Sequence, residues 1–373
     1  MAYALKRLGV KSVVALSIGL GAWTSIEAQR LTWIGSTSLD VRPQISGDGS
    51  TIVFICGSSA CLWREETGVR VIFGGIPTAV SRDGSTVVGR TFLAGGGSRA
   101  CIWRNGQLEL LPTFGGNAGE AYDVSADGSI VVGRASDSQG NWLAFRWTAI
   151  DGLLSLSHGW ARVISGDGRV IFFRDGQRWI QGQGFRGDIG FVPTDASFDG
   201  SVVVGFSGAS GYYWTESNGR IQIPNTLGGA NAYPYGVSGD GRVVVGTAMN
   251  SEARDRAFRW RPGEGMENLN FVYGRLLGQG DELLWATGIS ESGRYIVGIG
   301  RHRGNSHWVF LLDTCAHGAD VFEDGCVDDA DLLLVLMRFG QSGSRAGRAD
   351  VNCDGFVDDA DLLEVLFNFG QGC

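Results

Sequence analysis

An apolar residue, then Ser-x-Asp-Gly, then a β-branched run recurs seven times in this chain and limits what it can fold into. The copies begin at Ile45, Val80, Val124, Ile164, Ala196, Val237 and Ile289. Their acidic position is Asp48, Asp83, Asp127, Asp167, Asp199 and Asp240, with Ser292 in the last copy. The step is about 41 residues, the length of a four-stranded blade. Asp-Gly between apolar runs marks a hairpin, because the turn needs positive φ. Runs such as Ser129 to Gly133 (SIVVG) carry the β-branched density of strands buried on both faces. A Trp recurs near the end of the third strand, at Trp63, Trp103, Trp147, Trp179, Trp214, Trp260 and Trp308. Each ring buries ~150–250 Å². The Asp and Trp residues read as turn formers and wedges.

Leu31 to Gly35 (LTWIG) precedes the first copy and reads as an outer strand. The last unit, Leu283 to Asp313, supplies only three strands, LLWATGIS, RYIVGIG and HWVFLL. LTWIG is therefore expected to cross over and complete it, which removes the ragged edges. The expected fold is all-β, a seven-bladed β-propeller over residues 29–312 closed by an N-terminal strand, followed by a small helical module over 313–373.

Residues 1–28 read as a secretory signal. Lys6, Arg7 and Lys11 give the positive region, SVVALSIGLGAW the apolar core, and Ile26-Glu27-Ala28 the cleavage site. The apolar run is short for a membrane anchor. The mature protein is expected to be soluble, secreted or at the cell surface, with no membrane span. Both lysines of the chain fall in this segment, which removes lysine chemistry from the rest. With the segment set aside, residues 29–312 balance at 25 basic and 25 acidic residues, which argues against a nucleic-acid partner. Residues 313–373 carry 13 acidic and 3 basic residues, so cations are their natural partner.

Asp350 to Asp361 reads DVNCDGFVDDAD. Counted from Asp350, oxygen ligands fall at Asp350, Asn352, Asp354, the Phe356 carbonyl, Asp358 and Asp361, with Gly355 at the sixth position. A Ca²⁺ ion needs six to eight oxygens, alternate loop residues point inward, and the Gly allows the sharp bend. Leu362, Leu363, Val365, Leu366 and Phe369 then form a helical apolar stripe. A first copy, DVFEDGCVDDAD, offers Asp320, Asp324, the Cys326 carbonyl, Asp328 and Asp331. Phe322 occupies its third position, so one ligand is missing and weaker Ca²⁺ binding is expected there.

These paired loop–helix units resemble the type I dockerin module over roughly residues 313–373. Aspartate at position 12 and the lack of a helix before each loop favour that family over ordinary EF-hands. The resemblance implies a cohesin-like or cell-surface protein as partner, met through Asp329-Ala330 and Asp359-Ala360. The chain departs from dockerins at Leu336-Met337 and Leu366-Phe367, apolar pairs that could instead pack within the module or against the propeller. The repeat part is similar to extracellular HAF-repeat proteins over about residues 30–312. The shared elements are SADG at 125–128, VVG at 131–133 and AFRW at 144–147 and 257–260. That resemblance implies an exported β protein and little about activity.

Seven cysteines in an exported chain imply disulfides and one thiol left over. Cys56 and Cys61 flank a hairpin-like GSSA. Cys315, Cys326, Cys353 and Cys373 surround the Ca²⁺ loops and are expected to form two bridges, with three connectivities open. Cys101 stands where Cys61 does in the next repeat and is the expected free thiol.

Zinc, P-loop and GxSxG signatures are absent from the sequence. The one GxGxxG match, Gly182 to Gly187, has no helix pattern after it. Glu65, Glu66, Glu120 and Glu282 read as surface charges rather than a glycosidase pair. The spacing from Asp-Gly to Trp varies from 12 to 20 residues, as in a rigid scaffold with variable loops. The leading expectation is a non-catalytic propeller binding a polysaccharide or protein, its tail serving attachment. The alternatives are a carbohydrate-active enzyme and a purely structural surface protein.

Overall fold

The computed structural model describes residues 29–38, 41–315, 318–322, 324–341, 346–352 and 356–373. The signal segment expected at 1–28 lies outside the described residues. The chain is mostly β, arranged in antiparallel sheets.

Each Ser-x-Asp-Gly turn is built the same way. In the third copy the Ser125 hydroxyl donates to Asp127 Oδ1 at 2.6 Å, and that oxygen also accepts the Ser129 N–H at 2.9 Å. The Ser125 Oγ accepts the Ile130 N–H at 3.0 Å, and Gly128 takes φ +71°. Corresponding bonds recur at Asp48, Asp83, Asp167, Asp199 and Asp240. In the last copy Ser290 pairs with Ser292 at 3.1 Å. The recurring aspartates are therefore engaged in local turns. Of the wedge residues, Trp63, Trp147, Trp214 and Trp260 are buried.

Seven separate four-stranded sheets were expected, and this needs correction. Among the described residues there are six sheets, five of four strands and one of seven. The first two repeats are joined because the strand Gly68–Val80 runs on without a turn. It pairs through Gly68 to Gly74 with Ser59–Arg64, and through Gly75 to Val80 with Thr86–Phe92. Gly75 takes φ +145° at the change of partner.

The strand Arg30–Ser36 pairs antiparallel with Asn305–Asp313, setting Trp33 opposite Phe310, and is the fourth strand of the sheet containing Glu282–Ile289 and Tyr295–His302. Leu31 and Trp33 pack against one core cluster of that sheet. Ile34 packs on another that combines Val297 and Val309 with Ile45, Ile52 and Phe54 of the first repeat. The turns are also tied in sequence by backbone bonds: Asp48 N to Arg82 O, Arg82 N to Ala126 O, Ala126 N to Gly166 O and Asp167 N to Phe198 O. Phe198 N then donates to Gly239 O, Gly239 N to Glu291 O, and Glu291 N returns to Gly47 O.

The VVG glycine has a steric cause. A Cβ at Gly133 would lie 2.1 Å from the Glu120 carbonyl oxygen on the adjoining strand, and Gly89, Gly205, Gly246 and Gly298 meet equivalent carbonyls at 2.0–2.1 Å. Gly133→Ala is expected to cost about 1–3 kcal/mol through backbone displacement. A thermal unfolding midpoint unchanged from the parent would contradict that account.

The C-terminal module holds the helices Asp329–Arg338 and Asp359–Phe367. Its halves exchange backbone bonds in like fashion. Val327 donates to Gln371 and accepts from Gly370, while Val357 donates to Gln341 and accepts from Gly340. Val321, Val327, Val335, Val351, Val357 and Val365, three matched pairs, make its core.

Candidate functional site

Residues of all seven repeats line a cavity of about 580 Å³. Its wall includes Arg42, Thr78, Tyr122, Asp123, Arg162, Asp195, Tyr235 and Trp285. A smaller cavity of about 130 Å³ shares Gln44, Ala79, Asp123 and Asp195 with it, so these residues mark where the two meet.

The wall is held by bonds between neighbouring repeats. Thr78 Oγ1 donates to Ala121 O, Thr194 Oγ1 to Pro234 O and Thr287 Oγ1 to Pro43 O, at 2.7–2.9 Å. Arg162 Nε donates to Pro193 O at 2.9 Å. Asp123 accepts the N–H groups of Val124 and Ile164, each at 2.8 Å. Asp195 accepts those of Ala196 and Val237, again at 2.8 Å. Both carboxylates thus brace one repeat against the next.

Burial pushes Asp123 up to about 7, against the Ile164 and Val124 bonds and with help from the charge on Asp195. Asp195 is likewise pushed by burial up to about 7, against the Val237 and Ala196 bonds. Both side chains keep part of their surface open to the cavity. Because the folded state holds these protons more tightly than the unfolded chain, their contribution is most favourable below the unfolded value of 3.8. It is lost as pH rises from there through about 7. Each pKa unit corresponds to about 1.4 kcal/mol, an upper bound where cavity water screens the charge. Asp123→Asn/Asp195→Asn is expected to flatten the pH 4–7 part of the stability profile. A variant profile parallel to the parent's would refute this.

Glu120, expected at the surface, is buried, and this is a correction. It accepts the Tyr122 hydroxyl at 2.6 Å, Arg134 Nε and Nη2 at 2.9 and 2.7 Å, and Arg90 Nη1. Burial works to raise its carboxyl, but the Tyr122 and Arg134 bonds and the Arg134 and Arg90 charges hold it below the usual range. Glu282 is also drawn in, between Arg256 and Arg301. Glu65 stays exposed beside Arg30.

Next to this cluster the Arg134 guanidinium lies 3.8 Å from the Trp160 ring centre and 4.1 Å from that of Trp142. Deeper in, Arg42 lies 3.7 Å over Tyr235. Burial lowers the pKa of Arg42, opposed by Tyr235. Burial also lowers that of Arg162, reinforced by the Arg42 charge.

In the first loop of the C-terminal module Asp320 Oδ2 accepts the Gly325 N–H at 3.0 Å, while its buried Oδ1 has no hydrogen-bond partner among the described residues. Asp324 accepts from Cys326 N at 3.0 Å. Asp328 caps its helix at Ala330 N, and fully buried Asp331 accepts from Phe322 N at 2.7 Å and Asp328 N at 2.9 Å. The second loop repeats this: Asp358 caps at Ala360 N, and buried Asp361 accepts from Asn352 N at 3.0 Å and Asp358 N at 2.9 Å.

Among the described residues no three His, Cys, Asp or Glu side chains are grouped to hold one ion; Asp354 lies outside them. The orphaned Asp320 oxygen is the kind of acceptor that a cation satisfies, so the first loop fits Ca²⁺ in its donor chemistry. Phe356 lies under the Arg242 guanidinium at 3.6 Å, so the second loop faces the repeat body. Asp329, Asp359 and Ala360 are exposed and Ala330 is half-buried. Leu336, Met337, Leu366 and Phe367 are all exposed, so neither packing role considered for them is met.

Cys56 is bonded to Cys61, and Cys326 to Cys373. Cys315 is also in a disulfide, and Cys353 lies outside the described residues. Cys101 is free and buried. Among the described residues no helix is long and apolar enough to cross a membrane.

No family profile matches the chain. No curated protein sequence matches it either. Among solved structures it is similar to the crystal structure of TolB from Acinetobacter baumannii, at 14% identity and a TM-score of 0.35, over 73% of this chain. The match spans 54% of TolB, about half its length.

Proposed function

We propose that this chain is an exported, non-catalytic recognition protein in which seven repeats form one propeller ring around a binding channel. The observation that carries the reading is the cavity, which is lined by residues of every repeat. The turn-to-turn bonds that return from Glu291 to Gly47, and the strand Arg30–Ser36 seated on the last sheet, support ring closure. The ligand is a polysaccharide or protein met at the channel and its surrounding loops. The disulfides favour an oxidising, extracellular setting.

The tail is a dockerin-like module stabilised by Ca²⁺. Asp320, Asp324, the Cys326 carbonyl, Asp328 and Asp331 would hold one ion, and Asp350, Asn352, Asp354, the Phe356 carbonyl, Asp358 and Asp361 the other. The Asp329-Ala330 and Asp359-Ala360 pairs would meet a cohesin-like or cell-surface partner. A binding role is favoured over glycoside hydrolysis because Asp123 and Asp195 are engaged in bracing bonds to neighbouring amides. Hydrolysis requires one carboxyl to deliver a proton to substrate and another to act on the sugar or on water. Glycan arrays and cell-wall pull-downs with the mature protein test the proposal. At least one retained glycan or surface protein is expected; empty results in both would overturn it.

A further inference from the structure

The channel wall holds two arginines whose charge nothing in the wall neutralises. Among the described residues neither Arg42 nor Arg162 forms an ion pair, while their neighbours Arg90 and Arg134 share Glu120. Arg42 rests on the Tyr235 ring, which fixes the guanidinium plane but leaves its positive charge in place. Arg162 spends its Nε on the Pro193 carbonyl. Each lies far enough into the wall for burial to lower its pKa, and the charge of Arg42 lowers that of Arg162 further. Desolvating two mutually repelling cations costs free energy that a purely structural wall would avoid with apolar residues.

Among the described residues no acidic group of the wall pairs with either of them. Glu120 is shared by two other arginines. Asp123 and Asp195 are bound to backbone amides, and burial favours their neutral forms. The cavity has the volume of a small-ligand site and is open to solvent-borne molecules.

We propose that Arg42 and Arg162 form an oxyanion-recognition site in the channel, taking the carboxylate of an acidic sugar or a phosphate group. This rests on the recognition role proposed above and narrows its ligand to an anionic one. Guanidinium groups suit both anions, because their planar N–H pairs match two oxygens at once. Tyr235 and Trp285 supply aromatic surface on the same wall for the rest of a sugar ring.

Isothermal titration calorimetry on the mature chain in Ca²⁺ buffer tests this with three probes: oligogalacturonate, inorganic phosphate and a neutral cello-oligosaccharide. At least one of the two anions is expected to bind, and which one distinguishes an acidic sugar from a phosphate. Arg42→Gln and Arg162→Gln should each weaken that binding by about 10- to 100-fold, the loss of one charge-assisted contact. Arg162→Lys, which keeps the charge, should recover part of it. Thermal unfolding of every variant checks that the fold persists. Binding of the neutral oligosaccharide alone, or anion binding unchanged in the glutamine variants, would overturn the oxyanion site and leave the recognition role standing. No binding of any probe, together with empty glycan arrays and pull-downs, would remove both.

Discussion

Deleting residues 29–38 is expected to abolish cooperative folding of the repeat body and leave aggregated protein. The strand Arg30–Ser36 contributes Leu31, Trp33 and Ile34 to cores that also hold the last and first repeats. The Trp33 ring stacks on His302 at 4.8 Å, meets Phe310 edge-on at 6.1 Å, and donates its Nε1–H to Asp281 at 3.2 Å. Three large apolar side chains at about 1.5–3 kcal/mol each approach the whole stability of an ordinary domain, about 5–15 kcal/mol. Partial exposure of these side chains lowers that sum. Removal of the strand also uncovers the edge of Asn305–Asp313, a template for pairing with other chains. Size-exclusion chromatography and thermal unfolding check the result. A monomeric deletion variant with the parent's melting temperature would show that the strand is an accessory.

Calcium withdrawal is expected to act on the other end of the chain. Chelation should melt the C-terminal module and leave the main transition of the repeat body in place. At a free Ca²⁺ concentration a hundredfold above its dissociation constant, mass action gives about 2.7 kcal/mol of stabilisation. Asp361→Asn and Asp331→Asn separate metal binding from capping. An amide keeps one acceptor oxygen for the backbone but gives up the charge that a hard cation requires. Each substitution should lower the apo module's stability modestly and remove most of the calcium-induced gain at its own loop. The effect should be larger at Asp361, because the first loop has Phe322 at its third position. Differential scanning calorimetry with and without chelator reads both. A tail transition indifferent to calcium would count against the metal role, with the buried aspartates then acting only as acceptors for loop and N-cap amides.

Much of the body was legible because one repeat encodes its own turn. In six of the seven copies the Ser and Asp bond within six residues, so local sequence suffices to place the turn. The crossover of LTWIG was legible because the last unit runs short by one strand. The continuous strand Gly68–Val80 was not, because the repeat pattern does not show that one strand pairs with both Ser59–Arg64 and Thr86–Phe92. Glu120 was misread because its partners Arg90 and Arg134 come from two different repeats. Asp123 and Asp195 did leave a trace. Only the third and fifth copies carry aspartate two residues before the repeat serine, as in YDVSADG and TDASFDG. The exposure of Leu336, Met337, Leu366 and Phe367 depends on how two short helices meet, which their apolar spacing alone does not determine.

Amide hydrogen exchange across Leu31 to Ser36 tests the proposed ring closure most directly. These amides should exchange together with those of Asn305–Asp313, at the rate of global unfolding of the repeat body. Exchange of Leu31 to Ser36 at the rate of an exposed peptide, while the remaining strands stay protected, would contradict closure by the N-terminal strand.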